Sequence, residues 1–413
     1  MKRVVVTGVG VMAPGSLEKN IFWSNISSGK TSTGPVTMLN CKDLRIQIAG
    51  EIKEFTNKTY IENKNGIDTS FLERSQRLSI AALNMAISDS KIKVEDEKNI
   101  ALAIGTTMGK NSNRPNHDID FESAENILSQ KENFNISMLQ DLAPSSIMTT
   151  LCKYFSLKNS QTRMFLNACA AGNYSIGWGF DKIKNNESTL ALVGGVDSLS
   201  LPALMGFNRL LSLTPNLCRP FDKNRKGLIV SEGAAFLVLE ELDRALARNA
   251  YIYGEIKGYG LGVDAFHITS PSPDATGAIK SINEALKNSG LDPEDIDYIS
   301  AHGTGTSVND KIESKALLSV FKNKVPPVSS IKSMIGHSLG AAAAIEAIAC
   351  LLMIQNNVAV PTANFEIFDE DCPVDCIPNV ARNMKINNII SNAFAFGGNN
   401  SCLVISRLKG GKN

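Results

Sequence analysis

SMIGHSLGAAAAIEA, residues 333–347, can be read in two ways that lead to different folds. Its core, Gly336-His337-Ser338-Leu339-Gly340, fits G-x-S-x-G, the turn that exposes a nucleophilic serine in hydrolases and acyltransferases. Alternatively, His337 carries the chemistry and the serine match is incidental. Chain order decides between them. In α/β-hydrolases the catalytic histidine follows the serine, and a serine acyltransferase of the malonyl-loading kind also needs a downstream histidine. The four histidines here are His117, His267, His302 and His337, and none lies beyond Ser338. Ser338 therefore lacks a base in the expected place.

The surrounding sequence bounds the class. A chain of 413 residues has room for two ordinary domains or one large duplicated one. Its 43% hydrophobic and 20% charged residues are those of a globular protein. The 42 Lys+Arg against 41 Asp+Glu give a formal charge of +1, which offers no surface for nucleic acid. The N-terminal MKRVVVTGVGVMAPG imitates a secretion signal, but its glycines and threonine break the apolar run into a strand and a turn. The longest apolar stretch, 339–354, carries Glu346 and is too short for a membrane span. A cytoplasmic protein that neither crosses nor binds a membrane is expected. The eight scattered cysteines include one close pair, Cys372 and Cys376, with no second pair at zinc spacing. No metal is expected, and most of the thiols read as small buried apolar residues.

Strand-like runs at 3–7, 100–104, 164–167, 190–193, 235–239, 251–257, 298–300 and 402–406 alternate with helix-like stretches at 71–88, 170–184, 276–288, 310–321 and 339–355. This alternation predicts an α/β fold. The seam falls near Asn249, dividing the chain into 1–249 and 250–413. VVVTGVG and YGEIKGYGLG open the two halves in a similar way and hint at internal duplication. The polar, poorly periodic segment 110–135 reads as a surface excursion.

Two other motifs mislead. Gly8-x-Gly10-x-x-Ala13 resembles a dinucleotide fingerprint, yet Pro14 and Gly15 stand where the helix should run, and the acidic residue the fingerprint asks for about twenty positions on is missing. Cys402, in SCLVIS, could match the second cysteine of degradative thiolases, but it lacks the C-x-G setting and reads as a buried strand.

FLNACAAGNYSIGWGFDKI, residues 165–183, places Cys169 between a short apolar run and a helix. There the helix macrodipole and free N–H groups favour the thiolate. ISAHGTGTSVNDKIESKAL (299–317) and VSSIKSMIGHSLGAAAAIEA (328–347) each bring a histidine out of a strand among small residues. His302 and His337 thus read as a catalytic pair beside Cys169.

These stretches, with VGGVDSLS, CRPFDKNRKGLIVSEGAAFLVLEELDRALARNA, DAFHITSPSPDATGA and NAFAFGGNN, make the chain resemble the elongating, Cys-His-His β-ketoacyl-acyl-carrier-protein synthases, closest to the synthase II group. The resemblance implies a thiolase-like fold of two similar halves, each with a mixed sheet, in five α/β/α/β/α layers. It implies Cys169 as nucleophile and His302 and His337 as active-site histidines. Lys332 falls on the family's lysine and Phe396 on its gate phenylalanine. Thr269, Thr304 and Thr306 fall on residues lining the pantetheine tunnel, and Met108 lies near the end of the acyl pocket. Asp310 and Glu313 fall on supporting acidic positions, through which Lys332 is expected to organise the site.

The implied reaction is decarboxylative Claisen condensation, elongating a fatty acyl chain. Substrates ride on the phosphopantetheine of acyl carrier protein and no other cofactor is needed. A homodimer is the expected assembly. A pathway-specific polyene or polyketide ketosynthase, paired with a cysteine-less partner, is the alternative. A non-catalytic chain-length subunit is disfavoured by the presence of Cys169, His302, His337 and Lys332 together.

Three departures from the family pattern stand out. Ala395 replaces glycine in the gate motif Phe394-Ala395-Phe396-Gly397-Gly398 and should stiffen it. Ser231 also stands at a position usually held by glycine. The carrier-docking region, YIENKNGIDTSFLERSQRL (60–78), offers Lys64, Arg74 and Arg77 but mixes in Glu62, Asp68 and Glu73, so that surface reads as weakened.

Overall fold

The buried run VVVTGVGVM forms strand β1, Val4–Met12. Its apolar residues occupy both faces, as expected of a strand covered on each side. The computed structural model describes residues 2–56, 60–109, 143–158, 160–322 and 324–408. The excursion expected at 110–135 lies outside the described residues.

Nine more strands join β1: β2 Ile100–Gly105, β3 Gln161–Phe165, β4 Leu190–Asp197, β5 Gly233–Glu241, β6 Gly254–Val263, β7 Tyr298–Ser300, β8 Val328–Ser329, β9 Asn388–Phe394 and β10 Asn399–Ser406. They run in the order β8-β7-β9-β10-β6-β1-β5-β4-β2-β3. The first five strands and the last five therefore repeat one order, third-second-fourth-fifth-first. The pairing senses repeat as well. β2 is parallel to β3 and β4, while β5 is antiparallel to β4 and β1. In the second set β7 is parallel to β8 and β9, while β10 is antiparallel to β9 and β6. The first strands of the two sets, β1 and β6, meet antiparallel through Val4–Val6 and Gly254–Ile256.

Six helices matter for the site: α1 Arg74–Ser90, α2 Ala171–Lys184, α3 Leu201–Arg209, α4 Thr276–Ser289, α5 Ser307–Phe321 and α6 Ala342–Asn356. α1 packs on β1 and β5, and α4 packs on β6 and β10 with α5 beside it. α2 and α6 touch strands of both halves, so the sheet folds back on itself at the β1–β6 seam and encloses them. The layers are α/β/α/β/α, the thiolase-like arrangement.

α6 is buried on every side from Ala342 to Ile354, which explains its lack of a polar face. It is a core helix. Its small residues allow close contact with α2, where a Cβ on Gly172 would stand 2.7 Å from the Ala344 nitrogen. The fingerprint glycines have a comparable packing role. A Cβ on Gly10 would stand 2.0 Å from the Ala82 carbonyl oxygen in α1, so β1 and α1 meet backbone to backbone. Cys402 is buried in β10.

Candidate active site

Cys169 lies in a single 3-10 turn, Ala168–Ala170, that feeds directly into α2. Ala168 holds a φ of +47°, a left-handed conformation that costs a non-glycine residue about 1–3 kcal/mol. This strained turn stands just before the thiol at the β3–α2 junction. Burial pushes the Cys169 thiol up to about 12, with the Lys332 charge pulling the other way. Burial thus opposes the thiolate preference expected at a helix N-terminus.

His337 approaches from the second half of the chain. Its Nε2 lies 3.0 Å from the Cys169 Sγ, and its Nδ1 accepts the Leu339 N–H at 3.3 Å. A neutral imidazole accepting at Nδ1 carries its proton on Nε2, so the ring presents a donor to the sulfur. The backbone of His337 is clamped to the first half, donating to Ile229 O at 2.7 Å and accepting from Ser231 N at 2.9 Å. The His302 ring meets that of His337 edge-on at 5.4 Å and lies 5.9 Å from Phe394. Burial, joined by the Lys332 charge, holds both imidazoles well below their ordinary value, which keeps them neutral. Ser338 is buried, and among the described residues its hydroxyl has no hydrogen-bond partner. No base faces it.

Lys332 differs from expectation. It sits on a one-turn helix, Lys332–Ile335, and its ammonium pairs with Glu346 in the second turn of α6. Both side chains are buried. Asp310 and Glu313 instead brace the loop that carries His302. Glu313 accepts the backbone N–H groups of His302 and Gly303 at 2.9 and 2.8 Å. Asp310 accepts those of Phe221 and Gly305 at 2.9 and 3.1 Å. The sequence reading gave these acids to Lys332, whereas the fold gives them to orphan backbone donors. The signal for Glu346 was present in the sequence, as the lone charge inside an otherwise apolar run. Asp197, at the end of β4, was missed altogether. Its buried carboxylate accepts from Thr106 Oγ1, Thr107 N, Met108 N and Gly340 N at 2.7–2.9 Å, tying the halves together behind the site.

A cleft of about 350 Å³ opens over this cluster. Cys169, His302 and His337 lie on its wall with Thr269, Thr304, Thr306 and Phe396. The Thr304 and Thr306 hydroxyls lie 2.9 Å apart, and the Phe396 ring stands 5.8 Å from that of Phe207 on α3. Met108 is placed elsewhere, packed against an apolar cluster that includes Leu199, Leu204, Leu228 and Leu339. Ala395 has φ −129° and ψ 154°, extended backbone that alanine adopts freely, so the substitution stores no strain. Of the docking cations, Arg74 is drawn inward to Glu232 at 2.7 Å and to the Ile52 carbonyl. Among the described residues no group of three or more His, Cys, Asp or Glu side chains is placed to hold a metal.

Residues 1–245 match the family model "Beta-ketoacyl synthase, N-terminal domain" and residues 253–366 match "Beta-ketoacyl synthase, C-terminal domain". The 3-oxoacyl-[acyl-carrier-protein] synthase 2 of Coxiella burnetii is 34% identical, over 98% of this chain and 99% of its own. Among solved structures, the ishigamide ketosynthase/chain length factor is 36% identical with a TM-score of 0.91, over 98% of this chain and 99% of that one. The AntDE:AntF complex, a type II PKS acyl-carrier protein with its ketosynthase bound to the hexaketide, is 27% identical with a TM-score of 0.82, over 98% and 100%. With both family models spanning the strained-turn cysteine and the two neutral histidines, the chain belongs to the β-ketoacyl synthases, acyltransferases built on the thiolase-like fold.

Proposed function

We propose that this chain condenses a malonyl thioester on acyl carrier protein with an acyl group held on Cys169, elongating a fatty acyl chain. The observation that carries this reading is the pair of neutral imidazoles beside a buried thiol in one cleft. In the first half-reaction the Cys169 sulfur attacks the acyl thioester carbon. The carrier thiol leaves, taking up the proton lost from Cys169, and the acyl group remains on the enzyme. Backbone N–H groups of Cys169 and Phe396, both on the cleft wall, stabilise the tetrahedral oxyanion. In the second half-reaction the malonyl carboxylate leaves as CO₂. The electron pair of the broken C–C bond passes to the thioester as an enolate, whose oxygen takes N–H bonds from His302 and His337. The enolate carbon then attacks the acyl carbon, and the Cys169 sulfur departs. Lys332, paired with Glu346, keeps the imidazoles neutral and takes no proton itself. Thr269, Thr304 and Thr306 line the path of the pantetheine arm, and Phe396 gates the cleft.

No cofactor beyond phosphopantetheine enters this scheme. All eight cysteines are free thiols, which suits a reducing cytoplasm. A second copy of the chain is the proposed partner at strand β3. Among the described residues β3 is one of the sheet's two edge strands, β8 being the other, and Leu166 beyond β3 is exposed, a template for pairing with another chain. The second reading, a polyketide ketosynthase assembled with a related subunit, is favoured by the likeness to the ishigamide and AntDE structures.

Intact-mass analysis of the enzyme after incubation with a panel of acyl carrier thioesters tests the proposal. A mass gain of one acyl group on Cys169, absent in Cys169→Ala, is expected. Addition of malonyl carrier protein should discharge it as β-ketoacyl product. Acylation elsewhere, or discharge by hydrolysis alone, overturns the reading.

A further inference from the structure

The loop from His302 to Val308 marks the axis of the cleft. His302 and Thr304 are buried, Thr306 is half-buried, and Ser307 and Val308 are exposed. A second segment, 225–227, lies alongside its outer end. The Gly227 N–H donates to Gly305 O at 2.9 Å, and Arg225 donates to Thr306 O and Ser307 O at 3.1 Å each. Lys226, between them, is thereby fixed beside Thr306 at the mouth.

The two basic neighbours differ in what they can do. The Arg225 guanidinium is consumed by Asp369, the Asp222 carbonyl and the loop itself. Lys226 is exposed and makes no ion pair among the described residues. Among the described residues it is the only lysine or arginine on the cleft wall. The one carboxylate on the wall among the described residues, Asp264, accepts from Asn400 Nδ2 at 2.7 Å and from Ser272 N at 3.3 Å. A compact ammonium on a flexible stem is suited to a singly charged phosphate diester approached from solvent.

We infer that Lys226 is a positioning residue that binds the phosphodiester anion of the phosphopantetheine arm, setting the depth to which the thioester reaches toward Cys169. This rests on the reading above that thioesters enter on that arm. Thr304 and Thr306 meet the uncharged part of the arm further in, and Lys226 meets its charged end at the rim.

The test compares Cys169 acylation by acyl-phosphopantetheine, whose terminal phosphate monoester stands in for the carrier-bound diester, with acylation by acyl-pantetheine, which lacks the phosphate. In the wild type the phosphate-bearing thioester should be used about 5–10-fold more efficiently, the scale of one charge-assisted contact at a solvated site, with the gain in KM. That ratio should fall to about 1 in Lys226→Ala, drop below 1 in Lys226→Glu and return in Lys226→Arg. A ratio of 1 in the wild type, or one untouched by the alanine and glutamate variants, overturns the assignment. Failure of both thioesters to acylate wild-type Cys169 overturns the underlying reading as well, so the two failures are told apart.

Discussion

The Nε2 atom of His337 lies 3.0 Å from the Sγ of Cys169, and the opposite ring nitrogen is held by the Leu339 N–H. The ring's one proton therefore points at the reacting centre, as a donor to developing negative charge. A donor at that place serves the enolate whether or not the sulfur is present. Cys169→Ala should then lose condensation by about 10⁴-fold or more yet still release CO₂ from malonyl carrier protein. His337→Ala should lose decarboxylation as well, by about 10²–10³-fold. Carbon dioxide release and β-ketoacyl product, followed in the same reactions, separate the two. Equal loss of decarboxylation in both variants contradicts this division of labour.

The neutrality of the imidazoles has a direction in pH. Burial, then the Lys332 charge, disfavours the imidazolium of both His302 and His337, so their depressed values keep both rings neutral well below pH 6.5, with His337 Nδ1 still free to accept the Leu339 N–H. Lys332→Met removes the repelling cation, which favours protonation of both imidazoles. The acid limb of the decarboxylation rate should accordingly shift to higher pH in Lys332→Met. A limb that stays in place shows that Lys332 does not set the histidine charge.

Lys332 and Glu346 also make an energetic prediction. Both are buried and paired, so removing one strands the other charge at about 3–5 kcal/mol. Glu346→Ala should lower urea stability by that order. The double variant Lys332→Met/Glu346→Leu should lose less than Glu346→Ala alone, because no charge is left behind. Additive losses would mean that the two side chains act separately.

Much of this molecule was legible before it was seen, and what was missed has a physical pattern. Eight strand runs and the Cys169, His302 and His337 triad stand out because they break composition: apolar runs between glycines, or rare histidines among small residues. Strand β9, Asn388–Phe394, was missed because Asn and Ser interrupt its apolar run, although the strand is almost wholly buried between neighbours. Asp197 and Glu346 act through contacts with residues more than a hundred positions away or one helix across, and no local spacing reports those. The assignment of Asp310 and Glu313 to Lys332 failed for a related reason. Opposite charges suggested an ion pair, but two buried loops with unpaired N–H groups claimed the carboxylates first.

Ala395 offers a last test, on the gate. Its φ of −129° is reached by alanine and glycine alike, so Ala395→Gly should leave the resting loop in place. The change acts on what else the loop can adopt. Glycine opens the conformations that alanine forbids, freeing the Phe396 ring to leave its position against Phe207. It also raises the entropy of the unfolded chain, at a cost of about 0.4–1 kcal/mol. Alkylation of Cys169 by a bulky maleimide should therefore quicken by several-fold while stability drops only by that amount. Unchanged alkylation with the same loss of stability would show that Ala395 acts through chain entropy alone and that the gate turns on Gly397 and Gly398, whose φ values are +79° and +70°.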